Sequence, residues 1–254
     1  DAQKVIPDAP AGTAGFGDVY LEQEEYRAAE DAYKKTIAKA PNFVSAHFNL
    51  ARVYGHTGRP ALALKALEAV QKLDPLYPGV RLELALNYRQ QKRLADALNQ
   101  FNLAIKENPK DPFLLVQIAR ANFDAGGRDA LLDARRYLDQ VVQQNPGIIE
   151  ARYWRARTLV ALTEAGREPN TQRLLLEAQD DLKAVTEKVP VNGVYRLWYA
   201  KTFDVLGNGT EALYHYEEAV KLLAKDKNEV DIIEAFARHT LALVDHLVVL
   251  DNGS

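Results

Sequence analysis

The sequence predicts an all-α solenoid: six helix–turn–helix repeats and a closing helix. Three observations predict it. Prolines recur at a near-constant interval, small residues recur in two columns of one register, and large apolar residues fill the positions between them at helical spacing.

Pro41, Pro75 and Pro109 lie 34 residues apart, Pro146 follows 37 later and Pro190 follows 44 later. The segments that end on them read alike: AKAP, KLDP, KENP, QQNP and EKVP. Aligned on these prolines, one column reads Gly17, Ala51, Ala85, Ala119, Ala156, Ala200, and a second reads Ala29, Ala63, Ala97, Ala134, Ala178, Ala212. Glycine and alanine together are about one residue in five of the chain, so twelve small residues in twelve slots are not an effect of composition. Large side chains alternate with them: Tyr20, Tyr54, Tyr88, Asn122, Leu159, Phe203 in one column, Tyr33, Leu67, Phe101, Leu138, Leu182, Tyr216 in another, and Phe16, Leu50, Leu84, Ile118, Arg155, Tyr199 in a third.

Within a repeat these spacings are helical. Leu84, Ala85 and Tyr88 share one face, as do Ala97, Phe101 and Ala104. The turn signals GHTGRP (55–60), DAGGR (124–128) and GNGT (207–210) separate the two helices of a pair. Small residues let the paired helices approach, large ones fill the groove beside them, and the proline ends the second helix.

The repeats are expected at about 10–43, 44–77, 78–111, 112–148, 149–192 and 193–226, after a leader or linker over 1–9. The fourth carries three extra residues before Ala134, and the fifth about ten around TEAGREPNTQR (163–173). A longer helix pair is the simpler reading of the insertion, with a ligand-facing loop as the alternative. The sixth lacks the terminal proline. Beyond it Ile233, Ala237, Leu241, Val244 and Leu247 form an amphipathic pattern, and a capping helix is expected over 227–250.

Thirty-four residues with a small residue near position 8, an aromatic at 11, Ala at 20, a large apolar residue at 24 and Pro at 32 resemble the tetratricopeptide repeat family. The resemblance covers about residues 10–224. It implies a right-handed superhelix with an open concave face, and a scaffold that holds other proteins. Thr13, His47, Arg81 and Arg152 stand where the family often has Trp. Arg155 replaces a core Leu, and Asn122 an aromatic that Phe123 would supply one residue late.

In that family the first helix of each pair lines the concave face, mainly at positions 2, 5, 9, 12 and 13. Carried over, the resemblance implies a peptide-binding groove at Phe48, Arg52, Leu82, Leu86, Arg89, Arg120, Phe123, Tyr153, Arg157, Leu197 and Lys201. Such a groove is apolar with aromatic anchors. It also carries five cations, Arg52, Arg89, Arg120, Arg157 and Lys201, on a chain of net charge −3. Arginine grips carboxylates with two hydrogen bonds, so the expected ligand is a peptide or protein segment with apolar and acidic groups. The family's two-carboxylate clamp for chaperone C-termini is not matched, because Ala14, Asp18, Phe48 and Arg52 stand in its positions.

Other chemistry finds no support. Cys is absent, which removes disulfides, thiolate metal sites and cysteine nucleophiles. His47, His56, His215, His239 and His246 form no metal-binding spacing, so neither a metal nor a cofactor is expected. The glycine-rich GTAGFG (12–17) follows no strand and lacks dinucleotide-loop spacing. The acidic runs Glu22, Glu24, Glu25 and Asp180, Asp181 read as solvated helix faces, and Thr210 as the N-cap before Glu211. No catalytic residue is expected, and the chain is not expected to be an enzyme. Net charge and the apolar groove positions argue against nucleic acid. No run of about 18 apolar residues is present, and the N-terminal residues lack the basic, apolar signature of a signal peptide. The expected function is an adaptor that binds a peptide in its groove. The alternative is a structural subunit of an oligomer or of a larger secretion- or envelope-type assembly. Composition assigns a soluble character but no compartment, cytoplasmic or periplasmic.

Overall fold

The computed structural model describes residues 9–166 and 170–223. Among them are twelve helices and no strand: α1 (Pro10–Glu22), α2 (Tyr26–Lys39), α3 (Val44–His56), α4 (Pro60–Leu73), α5 (Val80–Gln90), α6 (Leu94–Glu107), α7 (Pro112–Ala125), α8 (Arg128–Gln144), α9 (Ile149–Glu164), α10 (Thr171–Lys188), α11 (Gly193–Val205) and α12 (Gly209–Leu223). The fold is an all-α solenoid of helical repeats. The expected capping helix over 227–250 lies outside the described residues, as do 1–8 of the expected leader. The chain divides into two compact units, Asp1–Ala121 and Asn122–Ser254, with the boundary inside α7.

Two local devices repeat along the backbone. The turn inside a pair closes on a left-handed residue: Glu24 (φ 59°), Gly58 (φ 67°), Lys92 (φ 61°) and Gly126 (φ 70°), each 34 residues after the last. Around the first three the hydrogen bonds are the same. Glu25 N–H donates to Tyr20 O, Arg59 to Tyr54 O and Arg93 to Tyr88 O, each at 2.8–2.9 Å. This bond back over five residues satisfies carbonyls that a helix end otherwise leaves open. Gly207 (φ 80°) closes α11 in the same way, with Asn208 N–H on Phe203 O at 2.9 Å.

The second device joins one pair to the next. Ala40, Asp74, Asn108, Asn145 and Val189 end α2, α4, α6, α8 and α10 with φ between −131° and −148°. Each precedes one of the ruler prolines, whose ring excludes the helical conformation from the residue before it. The proline therefore stops the helix by acting on its neighbour.

The small columns are buried as a set. Every alanine in both is at most 3% exposed. Gly17 has no room for more: a Cβ there would lie 2.6 Å from Tyr33 Cε1. In the first unit Ala29, Tyr33, Leu50, Val53 and Tyr54 form one core cluster, and Ala51, Leu67, Val70, Val80 and Leu84 the next. In the second unit Leu159, Leu174, Leu175, Leu182 and Val185 form another, and Leu197, Tyr216, Ala219 and Leu223 the last. Each large side chain so buried contributes about 1.5–3 kcal/mol.

Several expectations need correction. Phe16, on the first described helix, is 52% exposed rather than part of the core. Asn122 keeps the buried slot itself, while the Phe123 ring sits edge-on to Trp154 at 5.4 Å. Asn208, not Thr210, caps α12: its Oδ1 accepts from Glu211 N–H at 3.4 Å. Asp180 is exposed, but Asp181 is 1% exposed and not on a solvated face. It accepts from Arg152 Nη1 at 2.8 Å and from Arg155 Nε and Nη2 at 2.6 and 2.9 Å. Arg155, where the repeat pattern wants Leu, is thus balanced by a carboxylate from α10. The fifth pair is long, with 16 residues in α9 and 18 in α10, against 11 to 14 in α3 to α6.

Candidate functional site

The first helix of a pair neighbours the first helix of the next: α1 meets α3, and α3 meets α5, in the first unit; α9 meets α11 in the second. Their outer faces therefore form a shared surface within each unit.

In the first unit a cleft of about 520 Å3 opens between α3 and α5, with Arg52, Gly55, His56, Leu86, Arg89 and Gln90 in its lining. Three residues named from sequence, Arg52, Leu86 and Arg89, meet there. Its cations are not bare. Arg52 Nε lies 3.7 Å from Glu83 Oε1, and Arg89 Nη1 donates to Gln117 Oε1 at 2.9 Å. Burial pushes the Glu83 carboxyl above its usual range, and Arg52 draws it part of the way back. A second cleft, of about 440 Å3, shares Arg52 and His56 and adds Asp18, Glu22 and Asn49. Asp18 accepts from Tyr33 Oη at 2.8 Å and from Asn49 Nδ2 at 2.9 Å. The cations of this unit are thus interleaved with carboxylates. Phe48 is half-buried against Tyr77, ring centres 5.1 Å apart, and Leu82 is half-buried on α5. Arg120 is half-buried on α7.

The second unit differs. Arg157 on α9 is ringed by aromatics: Phe123, Tyr153, Trp154 and Trp198 all lie within 5.5 Å of its guanidinium carbon. Tyr153, 8% exposed, packs on Tyr195 at 4.8 Å between ring centres. Lys201 pairs with Glu164 at 2.6 Å and lies 5.1 Å from the Trp198 ring centre. Leu197 is 1% exposed within the core of α11 and α12, so it belongs to the core rather than to an open face.

One column escaped the sequence reading. Position 6 of the repeats reads Gly15, Asn49, Glu83, Gln117, Trp154, Trp198. Asn49 meets Asp18 and Glu83 meets Arg52, each 31 residues back, and Trp198 meets Arg157. In these three pairs position 6 of one repeat reaches position 9 of the repeat before it, whereas Gln117 reaches Arg89 at position 12. A signal for it existed. The chain has only two tryptophans, and they lie 44 residues apart, as do Pro146 and Pro190.

Comparison with known proteins agrees with this architecture. Residues 15–78 and 50–112 match the family described as tetratricopeptide repeat. Cellulose synthase operon protein C of Pseudomonas fluorescens is 24% identical over 188 residues, which are 68% of this chain and 14% of that protein. The chain therefore spans about a seventh of the length of that relative. Among solved structures, a tetratricopeptide repeat protein of Parabacteroides merdae superposes with a TM-score of 0.66 at 14% identity, covering 85% of this chain and 79% of that one. PilF of Pseudomonas aeruginosa does so with a TM-score of 0.68 at 15% identity, covering 91% and 97%. The type IV pilus biogenesis factor PilW gives 0.69 at 16% identity, covering 90% and 98%. At these identities the structural likeness speaks for the fold. With the repeated columns, the helix pairs and the family match together, residues 15–112 are tetratricopeptide repeats, and the described chain as a whole shares the fold of solved tetratricopeptide repeat proteins.

Proposed function

We propose that this chain is a protein-interaction scaffold whose first-helix faces bind a peptide or protein segment bearing apolar and acidic groups. The observation that carries the reading is the surface itself: half-buried Phe48, Leu82, Leu86 and Phe123 stand on first helices beside arginines. Apolar anchors next to cations suit a ligand that alternates apolar side chains with carboxylates. The tetratricopeptide repeat fold is generally a non-catalytic scaffold, and no catalytic role is proposed. Among the described residues no helix is long and apolar enough to cross a membrane.

The test uses a random peptide library passed over the immobilised chain and over its Arg120→Glu and Arg157→Glu variants. The expected result is retention of peptides rich in Leu, Phe, Asp and Glu, with weaker retention on the variants. Unchanged affinity on both variants removes the reading.

A second reading is a structural subunit of a larger assembly. It is favoured by the names of the relatives, cellulose synthase operon protein C and a pilus biogenesis factor. Mass in solution separates the two. A stable monomer supports the adaptor, and an oligomer that persists on dilution supports the subunit.

A further inference from the structure

Arg157 differs from three other cations of its unit. Lys201 has Glu164 at 2.6 Å, Arg152 has Asp181 at 2.8 Å and Arg135 has Asp139 at 3.4 Å. Arg157 has no carboxylate within ion-pair distance among the described residues. Its surroundings are rings instead: Trp154 at 4.4 Å, Trp198 at 4.6 Å, Phe123 at 4.8 Å and Tyr153 at 5.5 Å from the guanidinium carbon.

Ring faces are electron-rich, so they attract the guanidinium and hold its plane in place. They do not supply acceptors for its in-plane N–H groups. Nη1 finds only Tyr153 Oη, at a long 3.4 Å, and Nε is buried with no acceptor. A fixed, charged and under-satisfied fork in apolar surroundings is a receptor for a planar anion, because low local polarity strengthens each charged hydrogen bond. The charge available selects among anions. Lys201 is matched by Glu164, so the site offers one positive charge, which suits a carboxylate better than a doubly charged phosphate.

We propose that Arg157 receives a Glu or Asp side chain of the bound peptide at the Nη end of its fork, while a flanking apolar side chain of that peptide rests on Trp154 and Trp198. The proposal rests on the peptide-binding reading and adds to it the position and chemistry of one subsite.

The two tryptophans of the chain both stand at this site, so intrinsic tryptophan emission reports on it alone. The probe is a nine-residue Gly/Ser peptide with a central Leu-Glu-Leu, blocked at both ends, and its twin with Gln for Glu. Titrated into the unaltered protein, the Glu peptide is expected to change the emission saturably, and the Gln twin to bind about tenfold more weakly. In Arg157→Lys, which keeps the charge but loses the planar fork, the two peptides are expected to bind alike. Equal binding of both peptides to the unaltered protein overturns the proposal, as does full discrimination by Arg157→Lys. If library peptides are retained but none alters the emission, the subsite is wrong and the groove reading stands. If no peptide is retained at all, both fail.

Discussion

Asp181→Ala should be among the most damaging single changes in the second unit. The Asp181 side chain is 1% exposed and takes three hydrogen bonds, one from Arg152 and two from Arg155. Breaking a buried ion pair by removing one partner costs about 3–5 kcal/mol, because the charge left behind is neither paired nor hydrated. Relief is available here. Arg155 Nη1 still has Asp139 at 3.3 Å and Glu177 at 3.6 Å, and Arg152 Nε still donates to Pro146 O at 2.8 Å. The expected loss is therefore about 2–3 kcal/mol. Arg155→Leu restores the side chain the repeat pattern wants and removes one of the stranded charges. The double variant should accordingly be more stable than the sum of the single losses by about 1 kcal/mol or more. Urea unfolding followed by tryptophan emission measures this, since both tryptophans are in the second unit. A loss below about 0.5 kcal/mol for Asp181→Ala, or strictly additive losses, would refute the view that this buried carboxylate ties α9 to α10.

Three further outcomes are expected. Lys92→Gly should stabilise the first unit by about 1 kcal/mol in thermal or urea unfolding, because Lys92 is exposed at φ 61° where Gly58 and Gly126 occupy the matching turns. Glu30 is held down to about 2 from 4.5 by the hydrogen bond from Arg59, with Lys34 adding to it. A carboxyl depressed in the folded state contributes stability above its unfolded value and loses it as pH falls, so Arg59→Ala should flatten stability between about pH 4.5 and 2; with its partners well exposed the contribution is of order 1 kcal/mol. His215 is pushed below 6.5 by burial and by Arg196, whose Nη1 lies 3.4 Å from its Nδ1. The unfolded chain then binds more protons, so this contribution is present above pH 6.5 and declines as pH falls. His215→Phe should remove that decline in unfolding curves taken between pH 7 and 5.

Much of the architecture was legible because it rests on local rules. Prolines fix the conformation of the residue before them, and helix pairs demand small residues at their crossing, so both leave marks at fixed intervals. What escaped depends on partners far apart in the chain. Asp181 reads as a solvated acid until Arg152 and Arg155, 29 and 26 residues back, are brought against it. Leu197 occupies a position that faces the groove in the family, yet Tyr216 and Leu223 cover it here. The position 6 column stayed hidden because its side chains change type from repeat to repeat: Asn49, Glu83, Gln117, then two tryptophans. Constancy marks the core, and a surface that varies between repeats leaves no column to read.

The central claim is that ligand contacts fall on the first helix of each pair. The direct measurement is cross-linking with a library-retained peptide that carries a photoreactive phenylalanine analogue, followed by mass mapping of the adducts. The account predicts adducts on α3, α5, α7, α9 and α11, with residues around Arg157 among them. Adducts confined to α2, α4, α6, α8, α10 and α12 would contradict it.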